Sequence, residues 1–468
     1  MNSTVPKIFE AAYQLLGRFT SNTAWRHFER IQKNQWLPIE ELNALRWARM
    51  KVLLEYAEEN IPFYRDLWKS AGASPRRFTC LKDMLNLPVV SKPDIIKAQE
   101  ADAFGLSRRH DFEMTHTSGT TGPRMYLPFT QEDLQIKYAS YLREFYATGW
   151  RLGARSAAMH YSGHPEFGGR YTGVPDRDNF VLIRQLAFRI AHRRVLLEPY
   201  ALNHYQDIPL MGSWYQSLKQ RRPFLLETMD FNFIALYRYI RDHDLPPLRI
   251  PKTIVLATLA PALKKRLEDF FSTEIFNRYG PHEIEGVAYA CNQHRGLHMA
   301  IDCVHTEFLN DRHQPVDAGQ SGHVVVTDMD SRVLPLIRYK IGDIGCQLEV
   351  PCTCGCNFPL MGDIQGRTQD AFADAAGAAV PAARVAAILQ EDPDLDLFQA
   401  DQDAAGRVEV RVVPPKGVNF LELERRVQSK LHALLGAGAD IRVTGGGRLQ
   451  LESNGKYCFA RRVKSAGN

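Results

Sequence analysis

The sequence predicts an α/β protein with a large N-terminal part and a small α+β unit at its C-terminal end. Three observations support this. Helical periodicity alternates with a short apolar run, in Asn232 to Asp242, then Thr253-Ile-Val-Leu-Ala257, then Ala260 to Phe271, as in helices packed on a sheet. From about Asp370 the composition shifts: residues 371 to 387 are rich in Ala and Gly, Val408, Val410 and Val412 alternate as in a strand, and Phe420 to Leu435 is helical in spacing. That stretch of roughly 100 residues is long enough for its own domain, which divides the chain into 1–369 and 370–468. Finally, a Gly/Ser/Thr-rich loop, Thr115-His-Thr-Ser-Gly-Thr-Thr-Gly-Pro123, interrupts an otherwise ordinary globular pattern.

Taken in order, the elements follow from local chemistry. Ile8, Ala11, Ala12, Leu15 and Leu16 have helical spacing broken by polar residues, so this is no secretory apolar run. Residues 39 to 60 read as a helix with Leu42, Leu45, Val52, Leu53 and Tyr56 on one face, closed by Pro62. Four prolines between residues 61 and 95 mark short elements and turns. A helix from Gln131 to Thr148 carries Leu134, Tyr138, Tyr141 and Phe145 as its expected core stripe. The aromatic and basic stretch from Gly149 to Tyr215, with His160, His164, His192 and His204, has no clear period.

Composition narrows the function. The chain has 468 residues, 45% of them hydrophobic and 24% charged, as in an ordinary globular protein. The net charge of +5, from 58 basic and 53 acidic residues, is too small and scattered to indicate nucleic acid. No run of about 20 apolar residues is present, so no transmembrane segment is expected, and a cytoplasmic enzyme is the default. Of eight cysteines, Cys291, Cys303, Cys346, Cys352, Cys354 and Cys356 cluster beside histidines. In a reducing compartment that clustering points to metal rather than disulfides.

The loop at 115–123 has a chemistry of its own. Its glycines allow close backbone approach to a ligand, and its hydroxyls and successive amides suit an anion. No Gly-Lys-Ser/Thr follows, so it is not the usual nucleotide loop. Downstream come Tyr279-Gly-Pro-His-Glu283, Arg338-Tyr-Lys-Ile-Gly-Asp343, Gly366-Arg-Thr-Gln-Asp370 and Asn454-Gly-Lys456. Singly, Asp343 also fits a turn cap, Arg367 a surface ion pair and Lys456 a solvated loop lysine.

Together, and in this order, the five stretches resemble the adenylate-forming enzymes, which make acyl-AMP from a carboxylic acid and ATP. Glu59-Asn-Ile-Pro-Phe-Tyr64, Leu87-Pro-Val-Val-Ser-Lys92, Leu334-Pro-Leu-Ile-Arg-Tyr339 and Cys352-Thr-Cys-Gly355 extend the resemblance to the phenylacetate–CoA ligase-like branch, which includes proteins of capsular polysaccharide loci. The resemblance implies a large domain of mixed sheets packed with helices and a small mobile C-terminal domain. It implies that Thr117, Ser118, Gly119, Thr120, Thr121 and Gly122 hold phosphates. Tyr279 and Gly280 would lie at the adenine, Glu283 would coordinate Mg²⁺, and Asp343 would bind the ribose hydroxyls. Arg367 would contact the ribose-phosphate region, Asp370 would be the hinge, and Lys456 would reach the reacting carboxylate.

The resemblance favours an aryl or arylalkyl acid, with CoA as acceptor, and leaves open an amine, another heteroatom nucleophile or a carrier-protein thiol. A zinc-stabilised binding protein without turnover is the reading of another class. The oligomeric state, a homodimer included, stays open. Three departures bear on specificity: His282 stands where Ser or Thr is usual, Arg124 where Lys is common, and Ala257-Thr-Leu259 where Gly-Glu is expected. Cys291, His298, Cys352 and Cys354 match the branch's Cys…Gly-Leu-His…Cys-x-Cys-Gly arrangement, a Cys₃His set suited to structural zinc. Cys303, His294, His305 and Cys356 are neighbouring competitors, and buried free cysteines are the plain alternative.

Overall fold

The computed structural model describes residues 7–11, 14, 23–116, 125–159, 194–196, 208–446, 449–450 and 457–463. The helices, in chain order, are α1 (Ala24–Asn34), α2 (Ile39–Asn60), α3 (Pro62–Ser70), α4 (Lys92–Glu100) and α5 (Gln131–Ala147), then α6 (Ile208–Arg221), α7 (Asp230–Asp242), α8 (Pro261–Phe271), α9 (Ala382–Gln390) and α10 (Phe420–Leu435). Helix α5 starts where Thr130 Oγ1 accepts from the Asp133 amide at 3.1 Å and the Asp133 carboxylate accepts from the Thr130 amide at 2.8 Å, a reciprocal cap that satisfies two orphan donors.

Two of the predicted faces differ from the structure. On α2, Val52 is 57% exposed, and the core side is Leu42, Met50, Leu53, Leu54 and Ala57. On α5, Leu134, Tyr138 and Tyr141 are half-buried, whereas Ala139, Leu142, Phe145 and Tyr146 enter the core. The predicted stripe thus reaches the core fully at Phe145 and packs against its edge at Leu134, Tyr138 and Tyr141, where the Tyr141 hydroxyl donates to Glu227 Oε2 at 2.6 Å. Of the N-terminal helix expected at residues 8–16, Ala12, Leu15 and Leu16 lie outside the described residues, as do His160, His164, His192 and His204.

The central sheet is eight-stranded. Its parallel half runs β8 (Glu274–Tyr279), β7 (Lys252–Val255), β6 (Leu225–Thr228), β4 (Ser156–Met159), β5 (Arg194–Leu196). Beyond β8 it continues antiparallel through β9 (Ala288–Ala290), β10 (Leu297–Met299) and β14 (Leu360–Met361). A second sheet orders β1 (Val90–Ser91), β13 (Tyr339–Gly345), β12 (Gly322–Asp328) and β11 (Val304–Leu309), with β15 (Gly366–Arg367) against β13. Strands β2 (Phe112–His116) and β3 (Tyr126–Thr130) form an antiparallel pair whose connection holds the Gly/Ser/Thr loop.

Buried charges fix how these layers meet. Arg338, 1% exposed, holds a left-handed backbone at φ 48° just before β13, a conformation that costs a non-glycine residue on the order of 1–3 kcal/mol. Surrounding bonds over-determine it. Its Nε and Nη2 reach the two Glu307 oxygens at 3.1 and 2.9 Å, its Nη1 donates to the Leu85 and Leu87 carbonyls, and its amide donates to Thr327 Oγ1 at 3.0 Å. A second buried pair, Arg143 Nη1 to Asp302 Oδ1 at 2.8 Å, ties α5 to the turn before β11, with the guanidinium over the Tyr289 and Phe358 rings.

From Phe372 onward, strands in the described residues pair only with one another. β16 (Phe372–Ala373) joins β17 (Ala379–Val380), and a four-stranded sheet orders β20 (Ile441–Gly445), β19 (Val408–Val412), β18 (Phe398–Gln402) and β21 (Ala460–Arg462). Val408, Val410 and Val412 turn inward beneath α10, whose Leu423, Val427 and Leu431 are fully buried. This apolar cluster continues into α7 and α8 through Phe233, Ile240, Leu263 and Leu267. Among the described residues no helix is long and apolar enough to cross a membrane.

Candidate active site and metal centre

Ligand sites of open parallel sheets lie beyond the carboxyl ends of their strands. Tyr279 ends β8 there, and the loop from Gly280 to Gly286 leaves it. This loop is tight: a Cβ at Gly280 would sit 2.9 Å from the Gly286 amide nitrogen and 3.0 Å from the Ile284 carbonyl, so a side chain would force the loop open. Glu283 sits at its turn and Asp343 on β13, and two phenols cross-link them. The Tyr279 hydroxyl donates to Asp343 Oδ2 at 2.8 Å, and the Tyr339 hydroxyl donates to Glu283 Oε1 at 3.1 Å. Each segment's tyrosine thus holds the other segment's carboxylate.

Arg367 completes the cluster. It lies directly opposite Asp343 in the β13–β15 ladder, and its Nε reaches Asp343 Oδ1 at 3.2 Å. Burial opposes the charge of Arg367, but Asp343 and Asp370 outweigh it, so its pKa is raised. Burial, then the adjoining Asp343, pushes the Tyr279 phenol well above its usual range, so it stays a donor. Tyr339 is raised likewise, by burial and then by Glu283. Asp343 is therefore a buried carboxyl group fixed from both sides, by Tyr279 and by Arg367. Glu283 is held through Oε1 and lies within electrostatic reach of Lys92 and Arg367.

Sequence reasoning passed over three participants. Lys137 Nζ donates to the Glu283 carbonyl at 3.2 Å and lies 4.5 Å from the centre of the Phe129 ring. Lys92 is half-buried; burial lowers its pKa, nearby Glu283 raises it, and Arg367 lowers it. Tyr339, within the Arg338–Asp343 stretch, carries the bond to Glu283. The available signal was the spacing of Lys137, three residues after Leu134 and four before Tyr141, which puts a cation on that stripe and argues against a purely apolar one.

Asp370 ends the short turn after β15. Burial raises its pKa, while Arg367 and Arg461, one on either side in sequence, oppose the rise. Thr117, Ser118, Gly119, Thr120, Thr121, Gly122, Arg124 and Lys456 lie outside the described residues.

The cysteine cluster is separate from this site. Cys291, His298, Cys352 and Cys354 come together with their ligand atoms all within 4.8 Å of one another. Cys291 Sγ is 3.5 Å from Cys352 Sγ, and Cys354 Sγ is 3.3 Å from His298 Nε2. Tetrahedral zinc with Zn–S near 2.3 Å places sulfurs about 3.8 Å apart, so the donor set and spacing fit this ion. The outer contacts fit as well: His298 Nδ1 faces the Phe358 carbonyl at 3.2 Å, which leaves Nε2 as the ligand, and the Gln293 and Cys356 amides donate to Cys291 and Cys354 Sγ at 3.4 Å. The competitors are engaged elsewhere. His294 pairs with Glu274, His305 with Arg46, Cys303 lies beside Arg143, and Cys356 is not among the four.

A glycine makes the metal corner possible. At Gly296, with φ 138°, a Cβ would meet Leu348 at 2.7 Å and the Met361 carbonyl at 2.8 Å. This close approach brings β10 onto β14 and sets His298 facing the 352–354 turn.

Comparison with known proteins agrees with the fold. No family model matches the chain. It is 27% identical to a phenylacetate–coenzyme A ligase of Thermus thermophilus over 341 residues, covering 71% of this chain and 72% of that one. A phenylacetate–coenzyme A ligase of Escherichia coli is 23% identical, over 90% of this chain and 94% of that one. Protein CapK of Staphylococcus aureus is 22% identical over 66% and 64%. Among solved structures, 2-hydroxyisobutyryl-CoA ligase in a postadenylation state superposes with a TM-score of 0.76 at 19% identity, covering 93% and 92%. The same ligase in its thioesterification state and in an open conformation gives 0.63 and 0.60. With these sequence relatives, this fold and five motifs in order, the chain is similar to the phenylacetate–CoA ligase-like branch of the adenylate-forming enzymes, and is a ligase.

Proposed function

We propose that this protein activates a carboxylic acid with ATP to an acyl-adenylate and then transfers the acyl group to the thiol of CoA. The observation that carries the reading is the crossed clasp of Tyr279, Asp343, Tyr339 and Glu283, with Arg367 against Asp343, at the carboxyl end of the parallel strands. In the first step a carboxylate oxygen attacks the α-phosphorus and the bond to pyrophosphate breaks. In the second, the thiol sulfur attacks the acyl carbon, AMP leaves and the thiol proton is released.

The residues divide the work. Asp343, fixed by Tyr279 and Arg367, accepts hydrogen bonds from the ribose hydroxyls, and Tyr279 and Gly280 border the base. Thr117 to Gly122 would hold the phosphates, a role supported by motif order and by their position in the sequence between the paired strands β2 and β3. Mg²⁺, bound at Glu283, would neutralise phosphate charge. Lys456 would supply the cation where two anions meet, the term expected to dominate the barrier. Residues 370–468 would form a small domain that turns about Asp370 between the half-reactions. An aryl or arylalkyl acid is the favoured substrate class, supported by the relatives' names. Zinc on Cys291, His298, Cys352 and Cys354 would be structural, because four protein ligands leave no open position.

The test is pyrophosphate release from ATP with a broad panel of acids, with and without CoA. Acid-dependent release, followed by thioester formation when CoA is added, is the expected result. Absence of release with every acid would overturn the reading.

A further inference from the structure

One buried charge cluster lies outside both sites and spans the two parts of the chain. Asp396, fully buried in the turn before β18, meets three arginines of α7 and α8. Arg241 Nη2 is 3.0 Å from Oδ2, Arg266 Nη2 is 3.4 Å from Oδ1 and Arg238 Nη1 is 3.9 Å from Oδ2. Around it, further bonds cross the same boundary. Ala260 N, at the start of α8, donates to Gln390 Oε1 at 3.1 Å, Arg266 Nη2 donates to the Gln390 carbonyl at 3.0 Å, and Arg238 Nη1 donates to the Val413 carbonyl at 3.0 Å. Tyr457, the residue after Lys456, stacks on Phe231 of α7 with ring centres 4.1 Å apart.

A carboxylate buried this deeply adds little net stability, because its desolvation offsets most of the Coulomb gain. What it does enforce is orientation. Any docking of residues 370–468 that moves Asp396 away from the arginines strips the acid of its cations and Arg266 of its acid, and leaves Arg238 and Arg241 to share Asp242 alone, whereas apolar faces tolerate sliding. The chain superposes best on the postadenylation form among the three states of 2-hydroxyisobutyryl-CoA ligase compared above, so the cluster is closed in that arrangement.

We propose that Asp396 with Arg238, Arg241 and Arg266 is a positioning latch that holds the C-terminal segment in the arrangement used to form the adenylate, and that must open before acyl transfer. The proposal rests on the ligase reading for its reaction steps, but not for its mechanical part. Asp396→Asn keeps the shape and removes the charge. Pyrophosphate release should fall on the order of tenfold, one decade of a two-state equilibrium. Transfer to CoA from a chemically supplied acyl-adenylate should stay level or rise. Arg241→Gln, which removes a half-exposed partner, should shift both steps the same way by less, and covers the case in which Asp396→Asn folds poorly.

Hydrogen exchange, without substrates, should rise in residues 260–266 and 390–397 and stay unchanged around His298 and Cys354. Equal loss in both half-reactions, or unchanged exchange at the boundary, would overturn the latch. If the parent protein releases no pyrophosphate with any acid, the ligase reading fails, and the exchange comparison still decides the latch.

Discussion

Replacing Arg338 by methionine isolates the buried pair that sets up β13. The substitution keeps length and apolar bulk, retains the left-handed backbone, and leaves Glu307 buried without its bidentate partner. Removing one partner of a buried pair costs about 3–5 kcal/mol, and the carbonyls of Leu85 and Leu87 lose a donor at about 1–3 kcal/mol more. Set against roughly 5–15 kcal/mol for a folded domain, that loss should lower Tm by on the order of 10 °C. Adding Glu307→Leu removes the stranded charge and should restore most of the loss. The pH dependence follows from Glu307. Burial already raises its carboxyl pKa, and Arg338 opposes the rise, so without the arginine the folded-state value climbs further above the unfolded one. Such a group supports stability below its unfolded pKa and loses that support as pH rises through the folded value. The Tm gap between parent and Arg338→Met should therefore widen from about pH 5 to pH 8. A gap under about 2 °C, or one that narrows toward neutrality, would refute the reasoning.

Protein prepared without chelator should carry one zinc per chain by elemental analysis, and Cys352→Ala should lose it together with fold stability; full metal content in that variant would remove Cys352 from the site. Asp343→Asn should weaken nucleotide binding by calorimetry on the order of tenfold or more, since charge-assisted bonds are roughly twice as strong as neutral ones, and unchanged affinity would take the ribose away from Asp343. Lys456→Ala should reduce adenylate formation about 10²–10³-fold while transfer from a supplied acyl-adenylate proceeds far better; equal losses in both steps would contradict its assigned place.

Local chemistry determined a good deal by itself. Repetitive apolar spacing and capping signals are short-range, so α2, α5, α8 and α10 and the strand at Val408–Val412 could be read within a residue or two. The Cys₃His set was also legible, both as a donor pattern and, through the resemblance, as these four among eight nearby cysteines and histidines, but the geometry that closes it was not. It depends on β10 pairing with β14, which brings His298 to the 352–354 turn across some sixty residues of chain. The crossed tyrosine clasp was invisible for the same reason: Tyr279 and Asp343 are 64 positions apart, and Tyr339 and Glu283 are 56. Val52 and the α5 stripe show the converse limit, because periodicity tells which residues share a face but not what that face meets. Only the tertiary structure decided that one α5 stripe leads to Glu283, and that Asp396 closes on three arginines more than 125 residues away. Electrostatic partners are set by proximity in space, and an isolated sequence holds no record of which charges burial will bring together.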